Sequence, residues 1–436
     1  MSFQTDNQLK DSLKKQEKNP NKILTFFQVN FAEAGLKNLA IFSGGNLLAQ
    51  ITMMVYAILV ARFLGPVKLG IYSGLYAILG ITITLVNFGL DLWMLNEAHS
   101  QESIRILTGK VVQIKLTIGF FWIIGCLVIL PVIRPEAFTF TLVFLAVFDV
   151  LADVLFNTLV TSWNTQGKIK QINIFLLTSR TGKLILLCIL SSLDRLTISS
   201  VIFSRFIVSL IILIGATAII RPVLSKKNIS EFPAILKSAS KFGYSEILAM
   251  IYANVHVAIL SFFSFIDTGL YSPASGIIHA LFIIPNSAHV YLLPRFAKQM
   301  SATEGKDYRR LAQKAFVFFT LIGSALTLGV LLTGRFVATT FLGSSFEESG
   351  NLLMILSPIL LFKSVSFGFA LLIIIMNQQK KRLLPQLIVA ILAIFLNLIF
   401  IPRFGVTSVA WIYVFGEFLL VLGYFLIIWR NRRKYE

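Results

Sequence analysis

Charge is scarce in this chain, and acid is scarcer than base. Only 14% of the 436 residues are Asp, Glu, Lys or Arg, with 20 acids against 39 bases. A soluble domain carries about a quarter of its residues charged, so that class is excluded. Cysteine is rarer still: Cys126 and Cys188 are the two present, and both fall inside apolar runs. They read as packing residues, and neither a disulfide framework nor a thiolate metal site is expected. His279 and His289 stand ten residues apart, a poor spacing for a metal, so no metal site is expected there. No G-x-x-x-x-G-K-[ST], nucleophile elbow or H-E-x-x-H occurs. ATP binding in a P-loop is therefore set aside, and the chain does not read as an enzyme. The formal charge of +19 would suit nucleic acid if the bases formed one face of a soluble segment. They sit instead at the ends of apolar runs, and no nucleic-acid partner is expected. No cleavable leader is evident, because the first long apolar run starts near residue 38 behind a polar, lysine-bearing stretch.

What the chain has in abundance is hydrophobicity, 56% of residues, with a mean hydropathy of +0.81. Its apolar runs are 20 to 27 residues long, and a bilayer core needs about 20 residues of helix. Lipid offers no partner for backbone donors and acceptors, so each run must be helical. The spans fall at 38–63, 71–95, 111–133, 139–163, 172–194, 196–220, 243–266, 270–294, 312–334, 350–376, 383–402 and 406–429. The expected fold is an all-α membrane protein of twelve helices in two six-helix lobes. A leader (1–37), with Ile23–Leu36 as an interfacial amphipathic helix, precedes an N-lobe over 38–221. A linker (222–242), a C-lobe over 243–429 and a basic tail (430–436) follow.

Two corners support the division. Arg62–Ser73 reads R-F-L-G-P-V-K-L-G-I-Y-S, and Phe262–Ser272 reads F-F-S-F-I-D-T-G-L-Y-S; Gly70, Tyr72 and Ser73 fall on Gly269, Tyr271 and Ser272 at an offset of 199. Six spans per half give both halves the same orientation, a repeat related by an axis along the membrane normal, with substrate between the lobes near midplane. The segments assigned to the cytoplasm hold 29 bases, while the outer loops hold Arg62, Lys68, Arg134, Arg195, Arg335 and Arg403, six in all. That bias places both termini in the cytoplasm.

Ionisable groups within spans are costly unless they are paired or face water. The cations are Arg180, Lys183, Arg205 and Lys363, roughly 12 to 20 Å from the nearer helix end at 1.5 Å per residue. They suit an anionic ligand, guanidinium binding phosphate in a bidentate manner. Equally, they can neutralise buried acids: Asp153 and Lys183 lie at equal depth. Arg205 and Lys363, whose spans carry no acid, lie in opposite halves at similar depth and are expected to reach one ligand. The acids are Asp149, Asp153 and Glu417, which either carry a coupling H⁺ or Na⁺ or serve as structural partners. Asp149, Asp153, Asn157 and Thr161 form one polar stripe that must line a cavity or a helix interface. Asn46, Gln50, Asn254 and His256 offer hydrogen bonds to sugar hydroxyls or, more plainly, between helices; Glu246, Asn254 and Ser261 share one face.

Five segments carry a family resemblance: A-R-F-L-G-P-V-K-L-G-I-Y-S (61–73), G-L-Y-S-P-A-S-G-I (269–277), I-P-N-S-A-H-V-Y-L-L-P-R-F (284–296), F-L-G-S-S-F-E-E-S-G-N-L-L-M-I-L (341–356) and N-L-I-F-I-P-R-F-G-V-T-S-V-A (397–410). In order and spacing the chain resembles bacterial polysaccharide and O-antigen flippases of the Wzx type, within the multidrug/oligosaccharidyl-lipid/polysaccharide exporter superfamily. The resemblance implies a V-shaped pair of lobes, alternating access and a cationic central cavity, which the four intramembrane cations match in kind. It implies export of undecaprenyl-diphosphate-linked oligosaccharide across the bacterial inner membrane, no cofactor, and lipids, a polysaccharide polymerase and glycosyltransferases as partners. Span one has no acid, unlike many multidrug exporters, and lacks the early arginine of peptidoglycan lipid flippases, whose spans usually number fourteen. A cation antiporter of the same superfamily is the alternative and should favour an anionic cavity. A membrane polysaccharide polymerase should show a large outer loop, whereas the outer loops expected here run from about 2 to 16 residues.

Overall fold

The computed structural model describes residues 36–98, 101–224, 231–302 and 308–431, and these are almost wholly helical. The expected amphipathic lead-in lies outside them apart from Leu36, as do residues 432–436 of the tail. Ten continuous stretches are long and apolar enough to cross a membrane. Two of them, Leu48–Glu97 and Gln379–Asn431, span 50 and 53 residues, and each folds back at one glycine. Gly65 (φ +69°) and Gly405 (φ +60°) hold left-handed conformations that a side chain would strain. Twelve crossings result, as the apolar runs predict.

We label the crossings α1 (36–64), α2 (66–97), α3 (Gln101–Ile133), α4 (Phe140–Thr165), α5 (Ile169–Ser192), α6 (Ile198–Ile220), α7 (Phe232–Phe263), α8 (265–302), α9 (Tyr308–Val337), α10 (347–375), α11 (383–404) and α12 (406–431). Several depart from expectation. The stretch Phe232–Phe242, expected as linker, is the first three turns of α7, with Pro233 in the opening turn where its missing N–H costs nothing. Helix α8 continues past 294 to Ala302, and α10 is interrupted at Ser357, just before Pro358. Helix α2 breaks near Phe88 (φ +37°) and Gly89 (φ +73°).

Each lobe has its own packed interior. Leu75, Leu79, Val143, Ala146 and Val147 knit α2 to α4 in the first; Leu260, Leu356, Ile359, Val409 and Ala410 join α7, α10 and α12 in the second. Outward-facing Phe121, Val132, Leu332 and Phe336 are 68% to 83% exposed, the unpolar belt that lipid requires of a spanning bundle.

The lobes meet through α1 and α2 on one side and α7 and α8 on the other. At the Gly65 end the meeting is reciprocal. A Cβ on Gly70 would lie 1.7 Å from the Phe265 carbonyl oxygen, and one on Gly269 would lie 1.8 Å from that of Pro66. Pro66 and Phe265, like Gly70 and Gly269, are separated by 199, so the sequence repeat is a physical two-fold contact between backbones. Toward the opposite end of α2, Gly89 and Gly243 also meet, less tightly: a Cβ on Gly89 would lie 2.5 Å from the Gly243 nitrogen and one on Gly243 2.8 Å from the Phe88 carbonyl oxygen. There the Glu246 carboxylate accepts from the Asn87 amide and, at 3.0 Å, from the Gly89 N–H. Glu246, read from its spacing as part of a face with Asn254 and Ser261, thus serves the break in α2.

Candidate functional site: the cavity between the lobes

A cavity of about 740 Å³ lies between the lobes, walled by α1, α2, α5 and α6 on one side and by α7, α8 and α12 on the other. Of the expected site residues, Gln50, Arg180, Arg205, Asn254 and His256 line it. Lys183, Asp149, Asp153, Lys363 and Glu417 stand outside that lining. Asn46 lies on α1, but its side chain is outside the described residues.

Behind the first wall the charges neutralise one another. Arg205 donates from Nε to Asp149 Oδ2 at 2.9 Å and from Nη1 to Tyr72 Oη at 2.8 Å, with its guanidinium 4.5 Å from the Tyr76 ring centre. Asp149 also accepts from Tyr76 at 2.7 Å and Ser209 at 2.8 Å. Lys183 donates to both Asp153 oxygens at 3.1 Å and stands 4.0 Å from Asp149. Two acids and two bases thus close on themselves, with Asp149 0%, Lys183 1% and Arg205 8% exposed. Lys183 and Asp153, which lie at equal depth, are paired; Arg205, whose own span carries no acid, is paired with Asp149 of α4, so both cations take the reading in which they neutralise buried acids. Only the upper half of the α4 stripe is engaged in this way, because Asn157 is exposed.

Apart from the exposed Arg335–Glu347 pair where α9 ends and α10 begins, the described residues of the second lobe hold one pair, in its interior. Lys363 Nζ lies 2.8 Å from Glu417 Oε1, with the rings of Tyr252 and Phe282 each 5.5 Å away. Arg205 and Lys363 therefore do not converge on one ligand: each is held by an acid of its own lobe, supplied by a different span. The three acids offered as ion-coupling groups are all in ion pairs.

Arg180 differs. Among the described residues no carboxylate oxygen lies within ion-pair distance of its guanidinium, whose Nη1 rests 3.1 Å from Met53 Sδ. It is half-buried on the cavity wall.

The rest of the wall is aromatic and neutral, and sequence reasoning missed most of it. Tyr56, Tyr72, Tyr76, Tyr271, His279 and Tyr413 line the space. The repeated G-x-Y-S corner was the available signal, since its two tyrosines, Tyr72 and Tyr271, both line the cavity, one from each lobe. His279 Nε2 and Tyr413 Oη lie 2.8 Å apart. A second omission is Asp91, which holds the fully buried Lys115 at 2.7 Å with Thr158 also bonded. Lys115, one turn into the span at 111–133, is not among the intramembrane cations read from the sequence and is a core residue in the fold.

Residues 36–300 match the family described as polysaccharide biosynthesis protein. The chain belongs to this family. A protein of Escherichia coli (strain K12) that carries the provisional name O-antigen transporter is 23% identical over 371 residues, 81% of this chain and 85% of that one. Among solved structures, the lipid II flippase MurJ in its inward closed conformation superposes with a TM-score of 0.72 at 15% identity, covering 89% of this chain and 87% of that one. An inward-facing multidrug resistance MATE family transporter of the MOP superfamily gives 0.69 at 14% identity, over 88% and 94%. This polysaccharide biosynthesis family member is a multi-pass membrane protein with a transporter fold, and the twelve-helix, two-lobe reading of its sequence stands.

Proposed function

We propose that the chain is a flippase that moves undecaprenyl-diphosphate-linked oligosaccharide from one leaflet to the other by alternating access. The observation that carries this reading is the inter-lobe cavity, in which Arg180 presents a guanidinium with no carboxylate within ion-pair distance to a space whose other polar groups are mainly tyrosine, histidine, serine and amide, set among aliphatic side chains. A diphosphate crossing between the lobes needs such a cation, and guanidinium meets phosphate with two parallel donors. No carboxylate occurs in the described lining, and Arg180 is its cation without a carboxylate at ion-pair distance, which favours an anionic headgroup over the cation of an antiporter. Backbone contact at Gly70 and Gly269 closes the Gly65 end, so the cavity is loaded from the other.

The Lys/Arg bias puts the Gly65 end outside, in a bacterial inner membrane, with both termini cytoplasmic. A cysteine at Arg403 should then be labelled from outside intact cells and one at Lys237 should not; the reverse pattern would invert the topology. Transport is tested with purified protein in proteoliposomes holding a fluorescent polyprenyl-diphosphate oligosaccharide in one leaflet. Time-dependent appearance in the other leaflet is expected. Failure to move it, together with efflux of a lipophilic cation, would establish the antiporter instead.

A further inference from the structure

Two side chains on the second wall are buried at 1% and 2% exposure yet leave a polar atom unused: Tyr271 Oη and His256 Nε2. Ser272 Oγ, beside Tyr271, is likewise without a partner, and all three residues line the cavity. The His256 ring is held from behind. The Asn397 side-chain nitrogen bonds the Ala393 carbonyl at 2.6 Å, which fixes the amide orientation, and so donates its second hydrogen to His256 Nδ1 at 3.0 Å. Nδ1 being the acceptor, the ring proton sits on Nε2, a donor with no acceptor.

Buried polar groups are nearly always bonded, and orphans concentrate where a ligand supplies the missing partner. A core would have chosen Phe at 271; the repeat shows the contrast, since the hydroxyl oxygen of Tyr72, the equivalent residue of the other lobe, accepts from Arg205. No cation or carboxylate of the second lobe belongs to the described lining, because Lys363 is turned to Glu417. What remains is one donor, two hydroxyls that donate or accept, and aromatic faces from Tyr271, Tyr413 and His279.

We propose that His256, Tyr271 and Ser272 form a neutral subsite for an uncharged, hydroxyl-rich group, in this cavity a sugar ring of the glycan. The lobes then divide the ligand: Arg180 of the first takes the diphosphate, and the α7–α8 wall of the second reads the glycan. The inference rests on the flippase reading above. An acidic sugar would find no counter-charge on this wall and would be disfavoured.

The test compares two probes on the purified full-length protein by native mass spectrometry: undecaprenyl diphosphate bare, and the same lipid carrying a neutral trisaccharide. The unsubstituted protein should bind the glycosylated probe about tenfold more tightly or better, one net hydrogen bond being worth roughly that factor. In the double variant Tyr271→Phe, Ser272→Ala the two probes should bind alike. Neither substitution breaks a bond within the protein, so the ligand-free double variant should melt at the same temperature or higher, which a merely structural role would not produce. If the double variant keeps the full preference, or if the unsubstituted protein shows none, the subsite is overturned while the diphosphate reading stands. If the unsubstituted protein binds neither probe, both readings fall.

Discussion

Tyr72 and Tyr271 occupy the same position of the two lobes, and they do opposite things. In the first lobe the hydroxyl is consumed by a four-charge network, Arg205, Asp149, Lys183 and Asp153, joined by Tyr76 and Ser209. In the second it is left unbonded at 1% exposure, and the interior ion pair among the described residues is Lys363–Glu417. Yet the backbones on which these tyrosines stand touch each other symmetrically at Gly70 and Gly269. Duplication has kept the hinge contact, which glycine alone permits, and released the side chains to diverge. On the first wall most buried polar groups are bound into the ion network and the Tyr56 hydroxyl is left over; on the second wall Tyr271, Ser272 and His256 each leave a polar atom unbonded. Under the alternating access proposed above this asymmetry is sensible: a closed ion network keeps its bonds as the lobe moves as a body, whereas orphan groups gain theirs only when the ligand arrives.

The comparison breaks first at Asp149. Asp149→Ala leaves Arg205 and Lys183 buried with Asp153 as their one remaining acid. Removing one partner from a buried ionic set costs about 3–5 kcal/mol, so folded yield in detergent should largely vanish on size-exclusion chromatography. Recovery of a normal monodisperse peak would show that the network is not a scaffold.

How much of this was legible beforehand follows from the physics of each signal. The number of spans comes from apolar length, a property local to each run, so the count of twelve survives although several ends move. The G-x-Y-S offset revealed the corners that touch. Pairing partners were harder. Lys183 and Asp153 lie at equal depth on successive helices and can be matched by counting. Arg205 has no acid on its own span, and its partner on α4 is fixed by how α4 and α6 pack, which no local pattern records. Lys363 and Glu417 fail for the same reason. The amide, histidine and tyrosine groups of the cavity resemble any interhelical polar residue until the helices are placed. Helix ends were blurred because a helix continues past lipid into water unmarked, as α7 does from Phe232.

The hinge contact is the one place where the lobes should respond identically. Gly70→Ala and Gly269→Ala each drive a methyl into a backbone oxygen, which cannot move aside as a side chain would. Overpacking costs about 1–3 kcal/mol, and both variants should lose thermal stability to the same extent. Unequal melts, one variant matching the parent and the other collapsing, would show that the two-fold contact is not shared in solution.

A smaller loss is expected at Glu417. The Lys363 side chain is 24% exposed while that of Glu417 is fully buried. After Glu417→Ala the ammonium can lean toward the accessible side and rehydrate, where Arg205 cannot. The expected destabilisation is about 1–3 kcal/mol, and the variant should still be purified. Charge reversal of the pair, Lys363→Glu with Glu417→Lys, should do worse than the single change, since it places the ammonium at the buried end. Equal loss in Asp149→Ala and Glu417→Ala would erase the proposed difference between the lobes.

The smallest effect on the fold, and the sharpest on function, belongs to Arg180. Its guanidinium has no described carboxylate to orphan, so Arg180→Ala removes a half-buried charge without leaving another unpaired. Stability should hold or rise slightly, because a charge without a partner in a bilayer opposes folding. Transport should fall, since a charge-assisted bond to phosphate is worth about 1.5–3 kcal/mol, roughly ten- to a hundredfold in affinity. Arg180→Lys keeps the charge and loses the two-pronged donor, and should recover part of the rate. Arg205→Ala supplies the control: as a scaffold residue it should lower folded yield, and whatever folds should still bind a polyprenyl diphosphate. Surface display of polysaccharide in a flippase-deficient host, normalised to membrane protein level, reads both variants side by side. Normal display with Arg180→Ala at normal level would remove this guanidinium from the substrate path and leave Arg205 as the only cation of the described lining to meet a phosphate.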